Sequence, residues 1–194
     1  GTVSWTELEV SSQLELLRAY GLTLARLGAP APPTRQALLR ALDGHYPAQD
    51  VRLNRELCSL LVFLEAPEVV SRTLSLLTAA PTQEEQIHYL LCLRTLKVGW
   101  SLEQRRAYFE GFRTVASHRG GHSFVGFLRN IQKEAAAGLD DATALALGDL
   151  VKAPPAPAPV TGPPRKLVKK WQVGDLLEQL ENPGFRANLK RGRT

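Results

Sequence analysis

Glu85 and His88 stand three residues apart in "EEQIHYLLCLRTLK", residues 84–97. On a helix this spacing puts a carboxylate and an imidazole on one face. One helix of a carboxylate-bridged dimetal bundle contributes such a pair, but the site also needs a second E-x-x-H and two further glutamates on facing helices. The chain has no second E-x-x-H. What remains is Glu85 as a helix-capping residue and His88 as a hydrogen-bonded residue between paired helices. His118 and His122 are four apart, which on an unbroken helix would set two imidazoles together as zinc ligands. Gly120 and Gly121 lie between them and predict a solvated loop instead.

Cys58 and Cys92 both sit amid leucines in helical patterns. The expectation is two buried thiols behaving as small apolar side chains, with a disulfide between them as the alternative. The sequence shows no metal-type spacing of ligands, no C-x-x-C-H haem attachment signature, no G-x-S-x-G elbow and no phosphate-binding glycine loop. The chain is therefore expected to be non-catalytic, with no metal or cofactor held by this segment.

Charge narrows the choice of partner. The formal net charge of +5 comes from residues 165–194, which hold eight Lys/Arg and three Asp/Glu, while residues 1–164 balance to zero. An array that wraps nucleic acid is expected to carry a basic stripe on its body, so the neutral body argues against that role. No run approaches the roughly 18 apolar residues of a membrane span, and "GTVSWTELEV" has neither the basic nor the apolar region of a signal peptide. The chain contains no methionine, which predicts a processed product or, as the preferred reading, a piece of a longer polypeptide.

The elements that must position these residues are helices. Leu14, Leu17, Leu24 and Leu27 mark a first helix over about residues 5–27, ended by "GAPAPP". Thr34 opens a shorter helix through "RQALLRAL", and the two make a hairpin. A second hairpin follows in "LNRELCSLLVFLE" and "PEVVSRTLSLLTA", with Pro67 expected at a first helical position. A third pairs residues 84–97 with 101–117. Its starts are marked by Thr82 with Glu85 and Ser101 with Gln104, both at capping-box spacing.

Within that third pair the first helix is apolar nearly all round, and the second keeps Leu102, Tyr108, Phe109, Phe112, Val115 and Ala116 on one stripe. An inner helix packed on both sides and an outer helix packed on one is the logic of stacked helical pairs. "FVGFLRNIQKEAAAG" and "LDDATALALGDLV" form a fourth pair. Pairs starting near residues 11, 51 and 82 suggest a degenerate repeat of roughly 30 to 40 residues. The fold expected is all-α, with HEAT/armadillo-like stacked hairpins over 1–151 and a compact irregular bundle as the alternative.

Residues 152–164, "KAPPAPAPVTGPP", read as an extended Pro-rich linker. Residues 165–194 follow as a basic segment with a short amphipathic helix around 173–181. Lys166, Lys169, Lys170, Trp171, Arg186, Lys190, Arg191 and Arg193 are its candidate contacts to an anionic partner or a docking surface.

"LNRELCSLLVFLEAPEVV", "PTQEEQIHYLLCLRTLKVGWSLEQRRAYFEGF" and "GGHSFVGFLRNIQKEA" resemble the helical, HEAT-repeat-like region of large bacterial c-type cytochrome proteins. In that family the region lies between a sugar-dehydrogenase-like β-propeller and a cytochrome c domain bearing C-x-x-C-H. "WQVGDLLEQLENPGFRANLKRGRT" is similar to the lead-in to the haem domain. The resemblance covers about residues 53–138 and 171–194, and none of its motifs is catalytic. It implies an interdomain spacer in an exported, periplasmic haem-containing redox protein, with haem only in an adjoining domain and the neighbouring domains or another protein as partners. Two rivals stand beside it: a free-standing protein- or nucleic-acid-binding repeat module, and a helical metalloenzyme built around Glu85, His88 and His118.

Overall fold

The computed structural model describes residues 4–118, 120–121, 123–152, 169–170 and 172–180. All regular structure among them is helical, with no strand. The chain divides into two compact units, Gly1–Pro157 and Ala158–Thr194. The first holds α1 (Val10–Leu27), α2 (Pro32–Leu42), α3 (Val51–Phe63), α4 (Val69–Ala79), α5 (Gln83–Leu93), α6 (Leu102–Ala116), α7 (Phe124–Ala137) and α8 (Asp141–Leu147). Of the second unit the structure describes α9, Val173–Leu180, with a few residues before it.

Packing in the first unit is serial. The odd-numbered helices lie one on the next, α1 on α3, α3 on α5 and α5 on α7, while α4 packs on α6 and α6 on α8. Leu17, Leu57, Leu61 and Leu90 fill the seam between odd-numbered helices and are fully buried. The even-numbered row is not a thin cover. α6 supplies Tyr108, Phe109, Phe112 and Val115, all fully buried, and Tyr108 meets both phenylalanines edge to face. Leu102, expected on the same stripe, is exposed because it is the first residue of its helix.

Local chemistry explains where the helices start. Asp50 caps α3 by accepting from the Arg52 amide at 2.8 Å, and Asp140 caps α8 through the Thr143 amide at 2.8 Å. Ser101 and Gln104 form the complete capping box of α6. At α5 only half of the expected box is present. Thr82 accepts from the Glu85 amide at 3.3 Å, but the Glu85 carboxylate takes the Thr82 hydroxyl rather than the cap's own N–H.

Three starts differ from the sequence pattern. Trp5–Glu7 form a separate 3-10 turn under a Ser4–Glu7 capping box, and Leu8 is extended, so α1 begins only at Val10. Pro32 and Pro33 open α2 ahead of Thr34, since their fixed φ suits a first helical turn. Pro67 lies before α4, because Glu68 adopts a left-handed conformation (φ 58°) that delays the helix to Val69.

Arginines tie the helix ends together. Arg35 of α2 donates to the Leu64 and Glu65 carbonyls just past α3, at 2.7 and 3.0 Å. Arg72 of α4 donates to the Asp43 and Tyr46 carbonyls at 2.9 and 2.8 Å and pairs with the Asp43 carboxylate. Buried Arg105 of α6 lies over the Trp100 ring at 4.1 Å and donates to the Leu96 and Lys97 carbonyls. Each adds a donor to carbonyls at the end of a helix or in a turn, where helical partners run out.

Candidate functional site

His88 and Cys92 are four apart on α5, and the helix places them together on the face turned toward α3. Cys92 Sγ lies 3.3 Å from His88 Nε2 and 3.4 Å from Ser59 Oγ of α3. Both histidine and serine also reach the Arg55 carbonyl: His88 Nε2 at 3.1 Å and Ser59 Oγ at 3.0 Å. A carbonyl oxygen only accepts, so Nε2 must carry a hydrogen. That one hydrogen has two acceptors in reach, the carbonyl and the sulfur beside it.

Behind Cys92, toward the core, stands Cys58 of α3, close enough for the two thiols to set each other's acidity. Both are free thiols, Cys58 buried and Cys92 half-buried. The polar thread continues inward: Cys58 Sγ lies 3.7 Å from Thr73 Oγ1 of α4, and that hydroxyl lies 2.8 Å from the Tyr46 hydroxyl. Thr73 is fully buried, and burial pushes the Tyr46 phenol far above its usual range, so it stays neutral. The thread runs from a neutral core to a groove of about 500 Å³ at the surface. Phe63, Leu91, Arg94 and Lys97 are among the residues lining it.

The two sulfurs have opposite acidities. Hydrogen bonding from Cys58, then from His88, holds the Cys92 thiol well below the usual range against the opposing effect of burial. Cys58 is pushed up by its bond to Cys92 and by burial. Of the two, Cys92 is the sulfur that ionises more readily.

The other sequence candidates fall elsewhere. His118 Nε2 meets Gln86 Oε1 at 3.1 Å, a link from the end of α6 to α5, and it is half-buried rather than solvated. His122 lies outside the described residues. Gly120 closes against Phe124 so tightly that a Cβ there would overlap the ring, which accounts for a glycine before α7. Among the described residues no group of three His, Cys, Asp or Glu is arranged to hold a metal, and no helix is long and apolar enough to cross a membrane.

Of the basic candidates, Lys169 reaches Asp175 Oδ1 at 2.8 Å, and the other Asp175 oxygen accepts from the Gln172 amide at 2.9 Å, fastening the start of α9. Lys170 is exposed. Lys166, Trp171, Arg186, Lys190, Arg191 and Arg193 lie outside the described residues. The apposition of Cys58 and Cys92 escapes a linear reading because it depends on α3 packing against α5. The His-x-x-x-Cys spacing is the signal that points to half of it. Searches against protein-family models, curated proteins and solved structures find no match.

Proposed function

We propose that the helical unit is a HEAT-like array acting as a non-catalytic scaffold between domains of an exported, haem-containing redox protein. The supporting observation is where apolar surface is left open. Leu145 on α8 and Leu27 at the end of α1 are the two most exposed large apolar side chains described in this unit, at 85 and 81 %. They sit on the last and first helices of the serial packing. In a stack of helical pairs each inner row is covered by its neighbours, so apolar surface stays open at the terminal rows and calls for a cap or an adjoining domain.

The haem and export parts of the proposal rest on the resemblance of residues 53–138 and 171–194. A spacer has no need of a substrate pocket, and its terminal rows are where neighbouring domains would seat. Reading the coding sequence on both sides of this segment tests the role. A C-x-x-C-H motif following Thr194 and a propeller-like region preceding Gly1 are the expected result. A stop codon directly after Thr194 with a start codon at Gly1 would leave a free-standing binding module in its place.

A further inference from the structure

We propose that Cys92 is a thiol–disulfide exchange site open to small-molecule disulfides, with Cys58 as the resolving thiol. Three features of the geometry point to it. Cys92 faces a groove of about 500 Å³, within the range of about 300–1,000 Å³ that accommodates small ligands. Its sulfur lies beside both His88 Nε2 and Ser59 Oγ, each of which also reaches the Arg55 carbonyl. One of the two, the Ser59 hydroxyl or the His88 N–H, turns to the sulfur while the other stays on that carbonyl. A thiolate at Cys92 is thus met by that donor and by the neighbouring Cys58 thiol.

Burial opposes ionisation of Cys92, and the hydrogen bonds to its sulfur outweigh it. From α3 the sulfur faces Cys58 and Ser59; on its own helix it faces His88, with Tyr89 nearby, and Tyr108 of α6 lies behind. Both tyrosines are held neutral, Tyr89 being pushed up to about 12 by burial. At the rim of the groove Lys97 and Arg94 oppose Glu65, and Arg94 is itself paired with Glu134 of α7.

The chemistry balances with a disulfide RSSR as the oxidant. The Cys92 thiolate attacks one sulfur of RSSR, forming Cys92–S–S–R and breaking the R–S–S–R bond, and RS⁻ leaves and takes a proton from water. Cys58 then attacks the Cys92 sulfur, forming the Cys58–Cys92 disulfide, and its proton passes to the departing sulfur so that the second R group leaves as RSH. Two protein thiols are oxidised and one external disulfide is reduced to two thiols. Cys58 is too buried to react first. Its place behind Cys92 limits it to the second step.

Glutathione disulfide is the probe, added to the reduced full-length chain, with intact mass and peptide mapping as the readout. The native chain is expected to end lighter by two hydrogens with Cys58 joined to Cys92. The Cys58→Ala chain is expected to stop with one glutathionyl group on Cys92, and Cys92→Ala to stay unmodified, both retaining their helical circular dichroism. At pH 6 an ordinary thiol is ionised in roughly one molecule in 300, and the lower nucleophilicity of an acidic thiolate takes back part of that advantage. Cys92 should therefore exchange about two- to fivefold faster than the isolated peptide 84–97. His88→Asn should move the rise of rate with pH upward, a shift that a purely structural role would not give. Exchange no faster than the peptide, or no adduct on Cys92 in a folded Cys58→Ala chain, would overturn the proposal.

Discussion

Tyr108 of α6 donates its hydroxyl to the Leu90 carbonyl of α5 at 2.8 Å, inside the core. Leu90 lies in the last turn of α5, where backbone carbonyls run out of helical partners. Around the same helix end, Arg94 donates to the Leu91 carbonyl at 2.6 Å and Trp100 to the Leu96 carbonyl at 2.9 Å. The second helix of this pair therefore finishes the first, which makes the pair a unit of stability. Tyr108→Phe keeps the ring and strands a buried acceptor. Urea unfolding should show a loss of about 1–3 kcal/mol, whereas a change within a few tenths would mean that the hydroxyl is dispensable.

Arg105 anchors the same pair from the other side, with its guanidinium stacked on Trp100 and its Nη2 on two carbonyls. A lysine ammonium has neither the plane nor the fork needed for both tasks. Arg105→Ala should cost about 2–4 kcal/mol, and Arg105→Lys should recover less than half of it. Full recovery by lysine, measured by the same unfolding curves, would reduce the role of Arg105 to charge alone.

Glycines give a pair of opposite expectations. A Cβ on Gly111 of α6 would come within 3.0 Å of Leu77 Cδ2 and 3.2 Å of Leu90 Cδ2, both in the core, so Gly111→Val should destabilise by about 1–3 kcal/mol. Gly126 of α7 has nothing within 4 Å, and Gly126→Ala should stabilise by about 0.5–1 kcal/mol through helix propensity. Thermal unfolding of the two variants reads both signs.

Asp50 should leave a mark in acid. Hydrogen bonds from the Arg52 side chain and then the Arg52 amide hold its carboxyl down at about 2. A carboxyl whose folded value lies below its unfolded value stabilises the fold above the unfolded value, about 3.9, and loses that contribution as pH falls toward 2. Asp50→Asn keeps a capping oxygen but cannot titrate, so its stability should fall less steeply than the native chain's between about pH 4 and 2. Parallel acid limbs in urea titrations would show that Asp50 is not the group responsible.

Much of this fold could be read from local pattern. The Ser101 capping box, Asp140 before a short helix and the leucine periodicity of α1 and α3 are one-dimensional signals with one-dimensional causes. The misplaced starts have equally local reasons that composition does not reveal: the left-handed Glu68 displaces Pro67 from α4, and the Ser4–Glu7 box closes a turn of its own before α1. The thiol cluster belongs to another category. His88 and Cys92 share a face by spacing alone, but Cys58, Ser59 and the Arg55 carbonyl join them only through the packing of α3 on α5. The sequence shows why each of the two cysteines should be enclosed, not that they should meet.

The scaffold role is tested most directly by identifying the polypeptide that carries this segment in its source cells. An antibody raised against the helical unit should detect, in the exported fraction, a band well above 21.3 kDa that also stains for covalently bound haem. A haem-free band at the mass of this chain alone would contradict the scaffold reading.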